Sequence, residues 1–567
     1  MPAPTASPAG RVPADTVPAD HRPIRAAARD AAGISVLRPG QEDAIRAVLH
    51  RDALAVLASG TGKTAVYETA AALLGGSTLV VSPTLSLQRD QVAALRAHGH
   101  TAAALNSTRG AAGQRRALAD FAAGRTAFLL LAPEQLEKEE VLAELAGARV
   151  SLVVVDEAHC VSEWGHDFRP AYLQIGAAVD RVGRPRTLAL TATASPRVRR
   201  DIAGRLGLRD PAVVVRDADR PNIWLGAAVY ATEGARDAAL VEAAVAEPGA
   251  TIVYAPTRRR CEVLAAALCE GGRPALVYHA GMRAAERAAT QDAFLGGTAE
   301  LVVATNAFGM GVDRPDVRAV FHAGPATSVD EYYQEVGRGG RDGEAARAAL
   351  FFRVEDFALG RYFRSGGGVR ARDLVAVVRA LRSGGPRTRA DLAADTGLSR
   401  QRVSAAVGAL AAGGTVRSRR AGLELTAGAR DDPRGVVEAA LAERDRRREF
   451  ETTRVDMIRA YAETTDCRRR VVLELLGEEH PEPCGRCDNC DAGTSTETGD
   501  RPYPVGARVT HTDWGDGVVS HYEGDRIVVL FAERGYRTLD LRLVTDKGLL
   551  GPATETTRAT GSTEAIA

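Results

Sequence analysis

Leu54-Ala55-Val56-Leu57-Ala58-Ser59-Gly60-Thr61-Gly62-Lys63-Thr64 decides the fold class. A short apolar run without polar alternation reads as a strand buried on both faces, which is how strands look in parallel sheets covered by helices. The glycines that follow let the backbone curl, so that the N–H groups of the loop and of the next helix point at an anion. Lys63 adds charge for the outer phosphates of a nucleotide, and Thr64 adds a hydroxyl for Mg²⁺. Ser59, Gly60, Thr61 and Gly62 complete the candidate phosphate cradle. The full phosphate-loop pattern places a glycine six residues before the lysine, and here that position is Leu57.

Outward from this loop the same rhythm repeats. Strands are expected at Leu54–Leu57, Thr78–Val81, Phe128–Leu131, Leu152–Val155 and Thr187–Leu190. After a break at Asp219-Arg220-Pro221-Asn222 they resume at Thr251–Tyr254, Ala275–Tyr278, Leu301–Ala304 and Ala319–His322. Strands alternating with helical stretches in two successive series predict two tandem α/β domains, each a doubly wound parallel sheet. Asp156-Glu157-Ala158-His159 follows the strand Leu152–Val155. Carboxylates are costly inside a sheet but face the ligand crevice at a strand's carboxyl end. Asp156 is expected to hold Mg²⁺ and Glu157 to orient or deprotonate an attacking water. Together these residues predict a Mg-ATPase. In the second series, Arg338 and Arg341 are three residues apart among glycines, placed to bring positive charge to the γ-phosphate. Arg341 is the candidate arginine finger and Arg338 its partner.

The bulk composition sets wide bounds. The 567 residues suit three to five domains, with 45% hydrophobic and 26% charged residues, as in ordinary globular chains. A net charge of +1 neither demands nor excludes a nucleic-acid partner, because a local basic face suffices. No apolar run reaches membrane-spanning length, so no membrane partner is expected. The Pro- and Ala-rich start is neither a secretory signal nor a transit peptide, and a disordered leader and a cytoplasmic location are expected. Of seven cysteines, Cys467, Cys484, Cys487 and Cys490 form C-x16-C-x2-C-x2-C. Four thiolates at such spacing favour a structural Zn²⁺, with an iron–sulfur cluster as the rival. Cys160, Cys261 and Cys269 read as packing residues.

At this point a resemblance enters. Leu37-Arg38-Pro39-Gly40-Gln41, the phosphate loop, Val81-Ser82-Pro83-Thr84-Leu85-Ser86-Leu87, Leu105-Asn106-Ser107, Ala132-Pro133-Glu134 and Asp156-Glu157-Ala158-His159-Cys160 occur in the order seen in RecQ-family DNA helicases. Ser162-Glu163-Trp164-Gly165-His166-Asp167-Phe168-Arg169-Pro170 resembles that family's aromatic-rich loop. Ala189–Ala194 and Ala304–Asp313 match two further motifs, and the cysteine cluster with Arg468-Arg469-Arg470 resembles the family's zinc module. The resemblance covers about 33–357 and resumes at about 443–490.

It implies two RecA-like lobes that hydrolyse ATP between them and travel 3′ to 5′ on single-stranded DNA, unwinding duplexes in repair or recombination. It further implies that Gln41 reads adenine with support from Arg38. Ile34 stands where relatives often carry an aromatic. Trp164, His166, Phe168 and Arg169 would couple DNA contact to the ATP site, with Ser82, Thr191, Thr193 and Thr305 touching DNA or relaying closure.

The expected layout is a disordered leader (1–30), lobes at 31–220 and 221–360, a winged-helix-like insert (361–430), a zinc-binding module (431–492), a linker (493–502), a small SH3-like or Tudor-like β-barrel (503–550) and a disordered tail (551–567). The insert reads as helix-turn-helix plus a β wing, with eleven arginines against four acids over 371–430. It stands before the zinc module, whereas the usual family order puts a winged helix after it. The barrel could take DNA or a protein partner. An RNA helicase and a DNA remodeller that separates no strands remain alternatives at this stage.

Overall fold

The strand Ala53–Leu57 (β1) lies next to the edge of a seven-stranded, wholly parallel sheet, and every one of its residues is buried. Its companions are Ser77–Val81 (β2), Ala102–Leu105 (β3), Phe128–Leu131 (β4), Val150–Val155 (β5), Arg186–Thr191 (β6) and Ala212–Arg216 (β7), in the order β3-β4-β2-β5-β6-β1-β7. Pairing of Val56 with Thr191, Val155 with Ala189 and Val81 with Val155 aligns the strands' carboxyl ends along one edge. Ser82, Asp156, Thr191 and the phosphate loop all leave the sheet there, which is where ligands meet doubly wound sheets. Separate apolar clusters cover the two faces, one around Leu131 and Phe121, the other around Ile45 and Tyr67.

This computed structural model describes residues 21–552 apart from 59, 107–109, 163–167, 217–218, 310–311, 358–368, 384, 413, 420–421, 427, 430–431, 479, 481, 496–500 and 532–533. Ser59, Trp164 and His166 therefore lie outside the described residues. A second parallel sheet is formed by Ile223–Val229 (β8), Ala250–Tyr254 (β9), Leu276–Tyr278 (β10), Leu301–Ala304 (β11), Val317–Ala323 (β12) and Ala346–Phe352 (β13), in the order β10-β11-β9-β12-β13-β8.

One correction concerns the start of the chain. His21–Ala32, most of which falls within the 1–30 stretch expected as a disordered leader, is a helix whose Ile24, Ala28, Ala31 and Ala32 are buried. Its alanine-rich run hides a periodic apolar stripe that packs on the first lobe.

Three helices, Ala371–Arg382, Arg389–Thr396 and Arg400–Ala412, precede an antiparallel hairpin of Val416–Arg419 (β14) and Gly422–Leu425 (β15). An isolated bridge from Arg387 to Leu423 adds a further rung. Leu374, Val377, Leu392, Val403, Leu410 and Leu423 share one core, completed by Val436 and Ala440 of the 31-residue helix Pro433–Glu463. Part of the arginine excess is consumed internally, since Arg402 pairs with Asp373 and Arg387 with Asp395.

The helix Arg468–Leu475 departs from its sequence. Arg468, Arg469 and Arg470 are all buried, at 4%, 2% and 1% exposure. Such burial requires partners for each guanidinium. Arg468 donates to Asp488 Oδ1 (2.5 Å) and the Tyr461 carbonyl (2.7 Å), and Arg470 to Asp466 (2.9 Å) and the His480 carbonyl (3.2 Å). Arg469 reaches out of the module, as described below.

Beyond the cysteines, Arg508–His511 (β16), Gly515–Glu523 (β17), Arg526–Phe531 (β18), Gly535–Asp540 (β19) and Leu550–Pro552 (β20) form an antiparallel sheet ordered β19-β18-β17-β16-β20. The expected barrel is not closed: among the described residues β19 and β20 are the two edges and do not pair. The described part of β20 is three residues long and pairs with β16. β18 is buried on both faces, with Ile527, Val529 and Phe531 in the sheet's own core and Val528 and Leu530 in the core of the zinc module. Glu474, 1% exposed, fixes this docking by accepting from Arg501 (2.5 Å) and the Tyr522 N–H (3.4 Å).

Glu474→Ala strands that guanidinium and amide, at about 1–3 kcal/mol for a buried group left unpaired. Limited proteolysis should then cut between the zinc cysteines and β16 faster than in the parent. An unchanged cleavage rate would show that Glu474 does not hold the sheet in place.

Candidate nucleotide site and zinc centre

Gly60 and Gly62 adopt φ of +77° and +76°, a left-handed backbone that glycine enters without penalty. The loop is tied from both sides. Thr61 Oγ1 donates to the Ala58 carbonyl (2.7 Å), and Gln41 Nε2 donates to the carbonyls of Thr61 (2.6 Å) and Gly62 (3.1 Å). Gln41 Oε1 in turn accepts from the Arg38 N–H at 2.9 Å. Gln41 thus braces the loop with the same amide that sequence reasoning assigned to adenine. Lys63 and Thr64, both half-buried, open the helix Lys63–Leu74.

Across the cradle, Asp156 is 5% exposed. Its Oδ2 accepts from Gln91 Nε2 (2.7 Å) and its Oδ1 from the Glu157 N–H (2.9 Å). Burial first, and repulsion from Glu157 second, push its pKa up to about 6, against the pull of Lys63. Glu157 has φ +46°, a strained value for a residue with a side chain, and it turns the chain into the short helix Ala158–Val161. His159 Nδ1 lies 3.0 Å from Thr191 Oγ1 and 3.4 Å from Glu157 Oε2. Thr191 Oγ1 passes the connection on to the Thr193 carbonyl at 3.0 Å, linking the ends of β5 and β6. Tyr172 OH supports the Asp156 carbonyl (3.1 Å), and Arg169 donates to the Pro83 carbonyl (2.7 Å), beside Ser82. Phe168 is half-buried beside Arg169. Thr305 follows β11 in the other sheet, far along the chain from the cradle, where its Oγ1 accepts from the Ala307 N–H at 3.4 Å.

The second sheet reaches into this site. A Cβ added at Gly60 would lie 3.0 Å from Arg341 Cγ, so the Arg341 side chain runs directly over the phosphate loop. Arg341 donates to Asp313 Oδ1 (2.5 Å) and the Val312 carbonyl (3.1 Å). Burial, and the nearby Arg338 charge, lower its pKa, with Asp313 opposing. Arg338 is 6% exposed. A cleft of about 150 Å³ between the sheets is lined by Arg38, Gly60, Arg220, Asn222 and Arg341. Among the described residues, Ser82 Oγ, Gln91 Oε1, Glu157 Oε2, Arg338 Nε and Arg341 Nε are buried without a hydrogen-bond partner. Unpaired polar atoms of both signs gathered around a cradle fit a polyanion with its cation.

The cysteine sulfurs of Cys467, Cys484, Cys487 and Cys490 all lie within 4.8 Å of one another. The N–H groups of Cys484 and Cys490 point at the sulfurs of Cys467 (3.3 Å) and Cys487 (3.4 Å), as they do around thiolates. This donor set fits a tetrahedral zinc ion. Of the remaining cysteines Cys160 and Cys261 are buried, but Cys269 is exposed and so is not a packing residue.

Comparison with known proteins agrees with this geometry. Residues 38–202 match the DEAD/DEAH box helicase family, 235–343 the helicase conserved C-terminal domain, and 432–491 the RecQ zinc-binding family. A Bacillus subtilis protein described as "Probable ATP-dependent DNA helicase RecS" is 37% identical over 352 residues, covering 62% of this chain and 71% of that one. The chain belongs to the RecQ-like ATP-dependent DNA helicases. The ATP-dependent DNA helicase RecQ of Pasteurella multocida is 38% identical over 58% of this chain and 51% of its own length. RecQ of B. subtilis is 29% identical over 81% of this chain and 65% of its own. The aligned part therefore spans about half to two thirds of those two relatives.

Several residues of this RecQ-like site were not singled out from sequence. Gln91 and Tyr172 hold Asp156, and Arg220 and Asn222 hold the arginine loop. Asp219-Arg220-Pro221-Asn222 was visible only as a break between two series of strands. Its density of polar groups at a lobe boundary was the available signal.

Cys487→Ser should release the metal and lower the thermal midpoint, since zinc contributes roughly 10–16 kcal/mol of folding free energy in small modules. Zinc content and melting are measured on the same sample. A variant that keeps both would refute the structural role.

Proposed function

We propose that this RecQ-like helicase hydrolyses Mg-ATP between its two sheets and uses the closure to step 3′ to 5′ along single-stranded DNA, parting duplexes during repair or recombination. The observation that carries the reading is Arg341 lying over Gly60, a cation from one lobe on the phosphate loop of the other. The loop amides and Lys63 bind the β- and γ-phosphates, with Ser59, Gly60, Thr61 and Gly62 forming the wrap. Thr64 and Asp156 would hold Mg²⁺, which when bound supplies positive charge against the phosphate oxygens. Glu157 orients the attacking water and takes its proton at the carboxylate. Arg341, with Arg338 beside it, meets the charge that develops on the transferred phosphoryl group, an effect worth roughly 10³–10⁵ in rate.

Arg169 on Pro83, and His159 between Glu157 and Thr191, give the nucleotide pocket two polar routes towards the DNA face. Ser82, Thr191, Thr193 and Thr305 serve as contacts or relays on that face, and Trp164, His166 and Phe168 as the coupling loop. An adenine contact by Gln41, supported by Arg38, rests on the family resemblance and competes with the hydrogen bonds that Gln41 already makes. We read the three helices and hairpin before the zinc module as a winged helix, with Arg400 and Arg417 among its exposed cations. We read the last sheet as an SH3-like unit, because its fifth strand returns to pair with the first. That unit could dock a protein partner.

Lys63→Ala should abolish ATP hydrolysis and, with it, strand displacement on a 3′-tailed duplex, while DNA binding persists. Displacement of only a 5′-tailed duplex by the parent protein would overturn the polarity. Hydrolysis retained by the variant would overturn the site.

A further inference from the structure

The loop between the helix Val329–Val336 and β13 carries both arginines, and its backbone carbonyls are held by side chains from elsewhere in the chain. Arg220 donates to the carbonyls of Gly337 (2.8 Å), Gly339 (2.6 Å) and Gly340 (2.9 Å). Asn222 Nδ2 adds bonds to the carbonyls of Gly340 and Glu344, both at 2.8 Å. The approach is so close that a Cβ at Gly340 would meet Asn222 and the Glu344 carbonyl (2.6 Å), and Gly340 has φ +55°. Arg220 and Asn222 belong to the crossing between the two sheets, immediately before β8, and with Gly60 and Arg341 they line one cleft.

The crossing is anchored in turn. Asp219 Oδ1 accepts from Arg469 at 2.5 Å, and the other Arg469 nitrogen donates to the Ile223 carbonyl at 2.5 Å. Arg469 brackets the crossing on both sides from the zinc-module helix, whose first turn begins at Cys467. The cysteine knuckle also joins the second sheet, with Leu225 bridging to Cys487 and the Ala227 N–H donating to Asp488 Oδ2 at 2.9 Å.

We propose that Arg220 is a positioning residue for the hydrolysis step, holding the loop of Arg338 and Arg341 so that Arg341 lies over the phosphate loop, and that the Asp219–Arg469 pair makes that hold depend on the zinc module. The guanidinium is a flat, rigid fork, so three carbonyls on one fork leave the loop little freedom to shift. Misplacement of a catalytic group by about 1 Å can cost about 10²-fold in rate. This rests on the reading of Arg341 given above.

The test uses the full zinc-loaded chain. Arg220→Lys and Asp219→Asn should each lower kcat for DNA-stimulated ATP hydrolysis by about 10- to 10²-fold. Zinc content should stay at the parent value, affinity for a fluorescent ATP analogue should fall far less than kcat, and the melting midpoint should drop by no more than one buried group left unpaired accounts for. Asp219→Asn lies away from the cysteines and therefore separates the strut from zinc binding. Combining it with Arg469→Gln should cost no more than the worse single change, because both remove one link. Parent-like kcat in both single variants, ATP affinity falling in step with kcat, or additive losses in the double variant would overturn the proposal. Arg341→Ala distinguishes the two levels. If it hydrolyses ATP at the parent rate, the reading of the loop has failed. If it is inactive while Arg220→Lys and Asp219→Asn are active, only the strut has failed.

Discussion

A guanidinium from one sheet lying on the phosphate loop of another sets the constraint that the rest of this structure serves. Arg341 has to leave water to reach Gly60, and burial beside the like charge of Arg338 disfavours its charged form. The molecule offsets that cost with Asp313 and the Val312 carbonyl, and with glycines that let the loop backbone come close. The site gains its full positive potential only where the two lobes meet. On the proposed reading, a nucleotide bridging them would interact differently with open and closed arrangements, which binding energy needs in order to drive motion.

The same constraint explains the buried charges of the zinc module. Arg468, Arg469 and Arg470 would be an ordinary solvated stripe on an isolated helix. Here each is paired, and together they join the cysteine knuckle, the long helix and the lobe crossing into one body. A zinc ion held by Cys467, Cys484, Cys487 and Cys490 would add local stability to this short segment. The C-terminal sheet extends that body through Val528, Leu530 and Glu474.

Much of this was legible in the sequence because it follows from local pattern. Apolar runs of strand length alternating with helices gave both parallel sheets, and the glycine loop and Asp156-Glu157 fell at the sheet edge that such a fold assigns to ligands. The cysteine spacing identified its cluster. What stayed hidden depends on contacts between segments distant in the chain. Gln41 was read for adenine, yet it braces Thr61 and Gly62. Arg220 and Asn222 looked like a linker, because their partners lie more than a hundred residues away. The leader's alanines concealed a packed helix, and among the described residues β19 and β20 do not pair with each other, which the alternation of the strands does not reveal. The run Ile527-Val528-Val529-Leu530-Phe531 does announce burial on both faces, a signal that alternation-based reading of a small barrel passes over.

The most direct measurement is a structure of the protein with ADP, aluminium fluoride and a 3′-tailed DNA. The Arg341 guanidinium should lie within hydrogen-bond reach of the fluoride group that mimics the transferred phosphoryl, opposite Lys63 and Asp156. An Arg341 that remains on Asp313 and points away from the fluoride, with the lobes closed, would contradict this.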